Sequence, residues 1–169
     1  VETCQVITDT LFCALGVMAA SQGTMNNVTF GNDQYQYYET VCGGSGAGPD
    51  FDGTAAIHTH MTNTRLTDPE VLEWRFPVIL ERFEIRHGSG GPGRYRGGDG
   101  ARRQIRFLEE LDLSILSNHR TIPPYGMAGG GQGECGRNWV ERVDGTVTQM
   151  TGADRTRVHP GDVFILETP

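Results

Sequence analysis

The stretch VILERFEIRHGSGGPGRYRGGDGARRQIRFLEELDLSILS, residues 78–117, decides the fold class. From Val78 to His87, Phe83 and Ile85 fall on one side while Arg82, Glu84 and Arg86 fall on the other. That period of two belongs to a strand rather than a helix. The run Gly88–Gly93 is a turn, and alternation resumes over Ala101–Leu108 through Arg103, Ile105 and Phe107. Leu111, Leu113 and Ile115 mark a third strand, so the stretch predicts an antiparallel meander with Phe83 and Ile85 turned inward. The 24 glycines among 169 residues are about twice ordinary usage and carry no period, which calls for many tight turns in a β-rich body.

Further strands are expected at Asn26–Phe30 and Tyr35–Cys42, joined at Gly31-Asn32-Asp33, and around Ala55–Met61. A hairpin is expected from Asn138–Val143 and Thr146–Met150 about Asp144-Gly145, a type I′ signal, and a last strand from Val163 to Thr168. Two helices complete the set. Residues 3–20 place Ile7, Leu11, Ala14, Leu15 and Met18 on one face, with Thr3 as cap and Gly23 beyond the end, and read as a core helix. Thr67-Asp-Pro-Glu70 starts a short helix with Thr67 as cap, and Pro77 stops it. The expected fold is α+β and β-rich: about nine antiparallel strands in a meander or sandwich-like arrangement, with one N-terminal and one short helix. Residues 1–169 make a single domain.

Composition removes several function classes. All 14 basic residues are arginine, so no catalytic, Schiff-base or Walker-type lysine exists. A net charge of −7 argues against nucleic acid, and no apolar run is long enough to span a membrane. The chain opens Val1-Glu2 without a basic leader region, which reads as a fragment or processed product kept in the cytoplasm. Cys4, Cys13, Cys42 and Cys135 lack zinc spacing and read as free thiols or at most one bridge.

Chemistry-bearing residues concentrate in YYETVCGGSGAGPDFDGTAAIHTHMTNTR, residues 37–65. On an extended strand His58 and His60 point to one side, where Glu39, Asp50 or Asp52 would complete a metal site. The bland alternative is a pair of structural histidines in a polar turn. Glu39, His58, His60, Asn63 and Arg65 are the candidate substrate- or interface-site residues. Cys42 beside a glycine loop invites a nucleophile, but a buried thiol is the commoner use. Gly88-x-Gly90-x-x-Gly93 matches a dinucleotide fingerprint only as a string, because no helix follows to hold a phosphate. Seven arginines between Arg82 and Arg106 read either as cross-strand partners of acidic neighbours or as a strip for an anionic ligand. The uncharged loop Pro123–Gly133 is a lid or a packing surface.

Six ordered blocks then carry a resemblance: ASQGTMNN (20–27), YYETVCGGSGAGP (37–49), HTHMTNTRLTDPE (58–70), RHGSGGPGRYRGGDG (86–100), PPYGMAGGGQG (123–133) and HPGDVFILETP (159–169). Together they resemble the carboxy-terminal part of the hydantoinase B/5-oxoprolinase family. The resemblance implies a carboxy-terminal fragment of a B component of an ATP-dependent amidohydrolase that opens 5-oxoproline or hydantoin-type rings. It also implies an actin-like ATPase A subunit and the rest of the B chain as partners, in addition to which a homo-oligomer is possible. ATP and a divalent metal would bind mainly outside this stretch, with none expected in it, and the stretch would be inactive alone. The alternatives are a B-like subunit of an acetone or acetophenone carboxylase, or a non-catalytic assembly module.

Overall fold

The computed structural model describes residues 2–169. Two helices, α1 (Glu2–Leu15) and α2 (Pro69–Arg75), accompany nine strands. These are β1 (Asn27–Gly31), β2 (Gln36–Thr40), β3 (Val78–Ile85), β4 (Ala101–Phe107), β5 (Leu111–Leu116), β6 (Arg137–Glu141), β7 (Val147–Met150), β8 (Ala153–Val158) and β9 (Val163–Glu167). They form two antiparallel sheets in the orders β2-β1-β5-β8 and β3-β4-β9-β6-β7. The α+β, β-rich expectation holds.

The strand count agrees with expectation through two compensating errors. Ala55–Met61 is not a strand: it makes only a bridge between Ile57 and Gly43, and Ala56 and His60 take φ of 47° and 52°. β8, whose sequence ADRTRV offers no apolar alternation, forms because β5 pairs with it from Leu111↔Val158 to Leu116↔Ala153. The meander is also corrected. β3 and β4 pair as expected, but β4 continues to β9, while β5 leaves for the other sheet and lies between β1 and β8.

Alternation explains how the two sheets share one core. Ala101, Arg103, Ile105 and Phe107 point inward from β4, and Leu111, Leu113 and Ile115 from β5. They meet Val28, Phe30 and Tyr37 from β1 and β2, and Val140, Phe164 and Leu166 from β6 and β9. A register shift between Leu80 and Arg82 moves the inward set of β3 from Val78 and Leu80 to Phe83 and Ile85. Phe83 and Ile85 therefore lie opposite the inward Arg103 and Ala101, yet stay 45% and 40% exposed because β3 is an edge strand.

Both helices depart from expectation in detail. α1 stops at Leu15, not 20. Gly16 takes φ 66°, with Gly16 N donating to Cys13 O and Val17 N to Phe12 O, a Schellman end. Its apolar stripe faces outward, with Ile7, Leu11 and Leu15 exposed and Gln5 and Asp9 buried. In α2 the cap is Asp68, whose carboxylate accepts from Glu70 N, rather than Thr67, and Pro77 ends the helix as expected. The β6–β7 turn is longer than type I′: Arg142 N donates to Thr146 O, and Gly145 alone takes positive φ.

Candidate functional site

Four loops from separate parts of the chain, near residues 16–23, 43–54, 88–100 and 123–136, meet at one end of the sheets and enclose a cavity of about 590 Å³. Their contact is backbone on backbone. Ser45 N donates to Thr54 O, and Gly98 N returns to Ser45 O at 2.9 Å. A Cβ on Gly98 would stand 2.1 Å from Thr54 O, so only glycine allows this approach. The same holds at Gly46, where a Cβ would meet Ala19 O at 1.8 Å. The terminal strand joins in, since Gly44 N donates to Pro169 O and Thr168 Oγ1 donates to Cys42 O.

The cavity wall is mainly apolar, through Val17, Met18, Pro92, Tyr95, Pro124 and Tyr125, with Arg94 the one charged side chain on it among the described residues. Ser21 and Gln22 also line it, and Gln22 Nε2 is buried with no hydrogen-bond partner. Asp9 ties the loops to α1. Its carboxylate accepts from Ser21 N at 3.2 Å and Ser21 Oγ at 2.9 Å, and lies 2.8 Å from His60 Nε2. The Tyr125 hydroxyl donates to Asp9 O at 2.6 Å, and its pKa is pushed up, first by burial and then by Asp9. Phe12 packs edge-on against the His60 ring at 5.5 Å.

The sequence-derived candidates separate. His60 joins Asp9 in this network, whereas His58 is half-buried with its Nδ1 unpartnered, and burial lowers its pKa. The left-handed backbone at His60 removes the extended geometry that would aim both imidazoles one way. Asn63 and Arg65 are exposed. Glu39 sits in the core: Arg103 Nε and Nη2 reach its two carboxylate oxygens at 2.8 and 2.9 Å, and the Tyr37 hydroxyl donates to it. Burial and the neighbouring Glu39 carboxylate push the Tyr37 pKa up to about 12. Among the described residues no group of three His, Cys, Asp or Glu side chains is placed to hold a metal ion. All four cysteines are free, and burial raises the Cys42 pKa, which disfavours the thiolate a nucleophile needs. No described helix is long and apolar enough to cross a membrane.

Sequence reading passed over Asp9, Ser21 and Tyr125. A signal for Asp9 existed, because Gln5 and Asp9 are four apart and share one side of α1.

The family described as hydantoinase B/oxoprolinase matches the chain over residues 1–169. A 5-oxoprolinase of Dictyostelium discoideum is 45% identical over all of the chain, which spans 13% of that relative's length. Among solved structures, the ATP-dependent caprolactamase of Pseudomonas jessenii superposes with a TM-score of 0.73 at 24% identity, over 90% of this chain and 29% of that one. An acetone carboxylase in its nucleotide-free form gives a TM-score of 0.64 at 19% identity, over 89% of this chain and 25% of that one. At those identities the two structures speak for the fold alone.

Proposed function

The chain belongs to the hydantoinase B/oxoprolinase family, and from that premise we propose that it is one domain of an ATP-dependent amidohydrolase opening 5-oxoproline or hydantoin-type rings. The observation that carries this reading is the 45% identity, over the entire chain, to a protein named 5-oxoprolinase. The chemistry explains why such an enzyme is larger than one domain. A lactam carbonyl is deactivated by resonance with its nitrogen, and phosphorylating its oxygen draws electrons from carbon and creates a leaving group. An actin-like ATPase partner would supply that step, and ATP and a divalent metal would bind mainly outside this chain. The chain contributes a rigid wall: loops held by glycine contacts around an apolar cavity, with His58, His60, Asn63 and Arg65 on the adjoining turn as substrate- or interface-facing candidates. It has no turnover by itself.

Reconstitution tests this. The full-length B component and its ATPase partner are given ATP with 5-oxoproline or hydantoins, and ADP release is expected to track ring opening. ADP release uncoupled from ring opening on every such substrate would sink the amidohydrolase reading. Bicarbonate-dependent consumption of acetone or acetophenone would place the assembly with the ketone carboxylases instead.

A second reading, a non-catalytic assembly module, is favoured by α1, whose apolar stripe is turned outward. It predicts that His58→Ala combined with His60→Ala leaves turnover of the whole assembly intact. Collapse of turnover with assembly preserved would restore the histidines to the site.

A further inference from the structure

The arginines of this chain follow a rule with one exception. Arg82, Arg86, Arg102, Arg103, Arg106, Arg137, Arg142, Arg155 and Arg157 each lie within ion-pair distance of a carboxylate. Arg65, Arg75, Arg94 and Arg96 do not, and they are exposed. Among the described residues, Arg120 alone is half-buried among neutral oxygens. Its Nε and Nη2 donate to Asn138 Oδ1 at 3.1 and 3.0 Å, Nη2 also donates to Asn26 Oδ1 at 2.8 Å, and Nη1 donates to Asn118 O at 2.7 Å. A tie of this kind needs donors but no charge. A cation taken out of water without a counter-charge is costly. Burial, followed by the nearby Arg86, lowers the Arg120 pKa to about 10.

Arg120 opens onto a shallow cleft of about 610 Å³ that Arg86, Arg137, Gln132, Glu134 and Gly136 also line. Gly136 lies directly against the guanidinium, where a Cβ would come within 2.4 Å of Nη1. The carboxylates in reach are few. Glu167 is shared by Arg86, Arg102 and Arg137, and Glu134, whose side chain is 62% exposed, caps Arg86 at 2.6 Å. Four guanidiniums thus face Glu167 and Glu134, with Glu2 acting on Arg120 only from beyond ion-pair distance, on a protein whose net charge is −7.

We propose that the cleft bounded by Arg86, Arg120 and Arg137 binds a small oxyanion, a carboxylate or phosphate group, which supplies the direct ion-pair partner Arg120 lacks. Planar guanidinium forks match the paired oxygens of either group. Glu134, on an exposed side chain, competes for Arg86 and is displaced when the anion enters. This assignment rests on the arginine cluster alone and stands whether or not the amidohydrolase reading does.

The test is an NMR titration of the full chain, following the arginine Nε–H signals. Inorganic phosphate, acetate and chloride are added at matched ionic strength. Saturable shifts at Arg86, Arg120 and Arg137 with phosphate or acetate, and none with chloride, are expected; the tighter of the two assigns the source as a phosphate group or an organic acid. Arg137→Gln, at an exposed position, is expected to raise the dissociation constant about tenfold, since one charged hydrogen bond is lost. Glu134→Gln is expected to tighten binding by freeing Arg86, and it leaves the Arg120 tie untouched. Unsaturable shifts, an equal response to chloride, or Glu134→Gln binding no tighter than wild type would each overturn the site.

Discussion

Glu39 can be buried on β2 because Arg103 meets it from the other sheet. Their side chains are 3% and 2% exposed, and Phe83 lies over the guanidinium at 5.4 Å. Glu39→Ala strands Arg103 without a counter-charge, so a loss of about 3–5 kcal/mol is expected in denaturant unfolding. Replacing both, as Glu39→Leu with Arg103→Met, should return stability to wild type or above, since an apolar pair removes both desolvation penalties. His58 gives a pH signature. Burial holds its folded pKa below the ordinary 6.5. The unfolded chain therefore takes up the proton first, and stability is full above about 6.5 and declines as pH falls through that value toward the folded pKa. His58→Gln should flatten the decline on that acid side when unfolding free energy is measured between neutral and mildly acidic pH.

At the scale of elements, two glycines do different work and should fail differently. Gly16 ends α1 at φ 66° with nothing within 4 Å of where a Cβ would be. Gly16→Ala therefore meets only the left-handed backbone penalty, about 1–2 kcal/mol in thermal or chemical unfolding. Gly98 lies against Thr54 O, so Gly98→Ala must push two loops apart. About 1–3 kcal/mol is expected, with hydrogen-exchange protection lost in 43–54 and 88–100 while β4 and β9 keep theirs. The end of α2 was readable because Pro77 punctuates the sequence, whereas α1 stops at Leu15 rather than 20 because Gly16, not Gly23, supplies its left-handed end. The Asp68 cap was not singled out, because Thr67 satisfied the same pattern and only the Tyr37 hydroxyl, 3.0 Å from Thr67 Oγ1, shows what Thr67 does instead.

Across the whole molecule, α1 turns its apolar stripe away from the sheets. Glu2, Gln5 and Asp9 hold it down through Thr24, Thr59, Ser21 and His60. Leu11→Gln and Leu15→Gln should therefore change the stability of this chain by no more than about 0.5 kcal/mol, as substitutions at exposed positions do. A loss of several kcal/mol in equilibrium unfolding would show that the helix packs the other way. The α1 side was misread for a general reason: periodicity reports that a helix has two unlike faces, not which of them the fold covers.

The sequence by itself determined the strand-rich class, the inward set of β4 and β5, and the hairpin ends, because a period of two and turn chemistry are local properties of the backbone. It even carried the Glu39–Arg103 pair in latent form, with Glu39 in phase with Tyr37 and Val41, and Arg103 in phase with Ile105 and Phe107. Tertiary structure alone decided which sheet each strand joined, that ADRTRV would be a strand, and that Ala55–Met61 would not. It also decided that four glycine loops would close on one cavity and that Arg120 would be left without a carboxylate at ion-pair distance. Those outcomes depend on contacts between residues tens of positions apart, where neither propensity nor spacing acts.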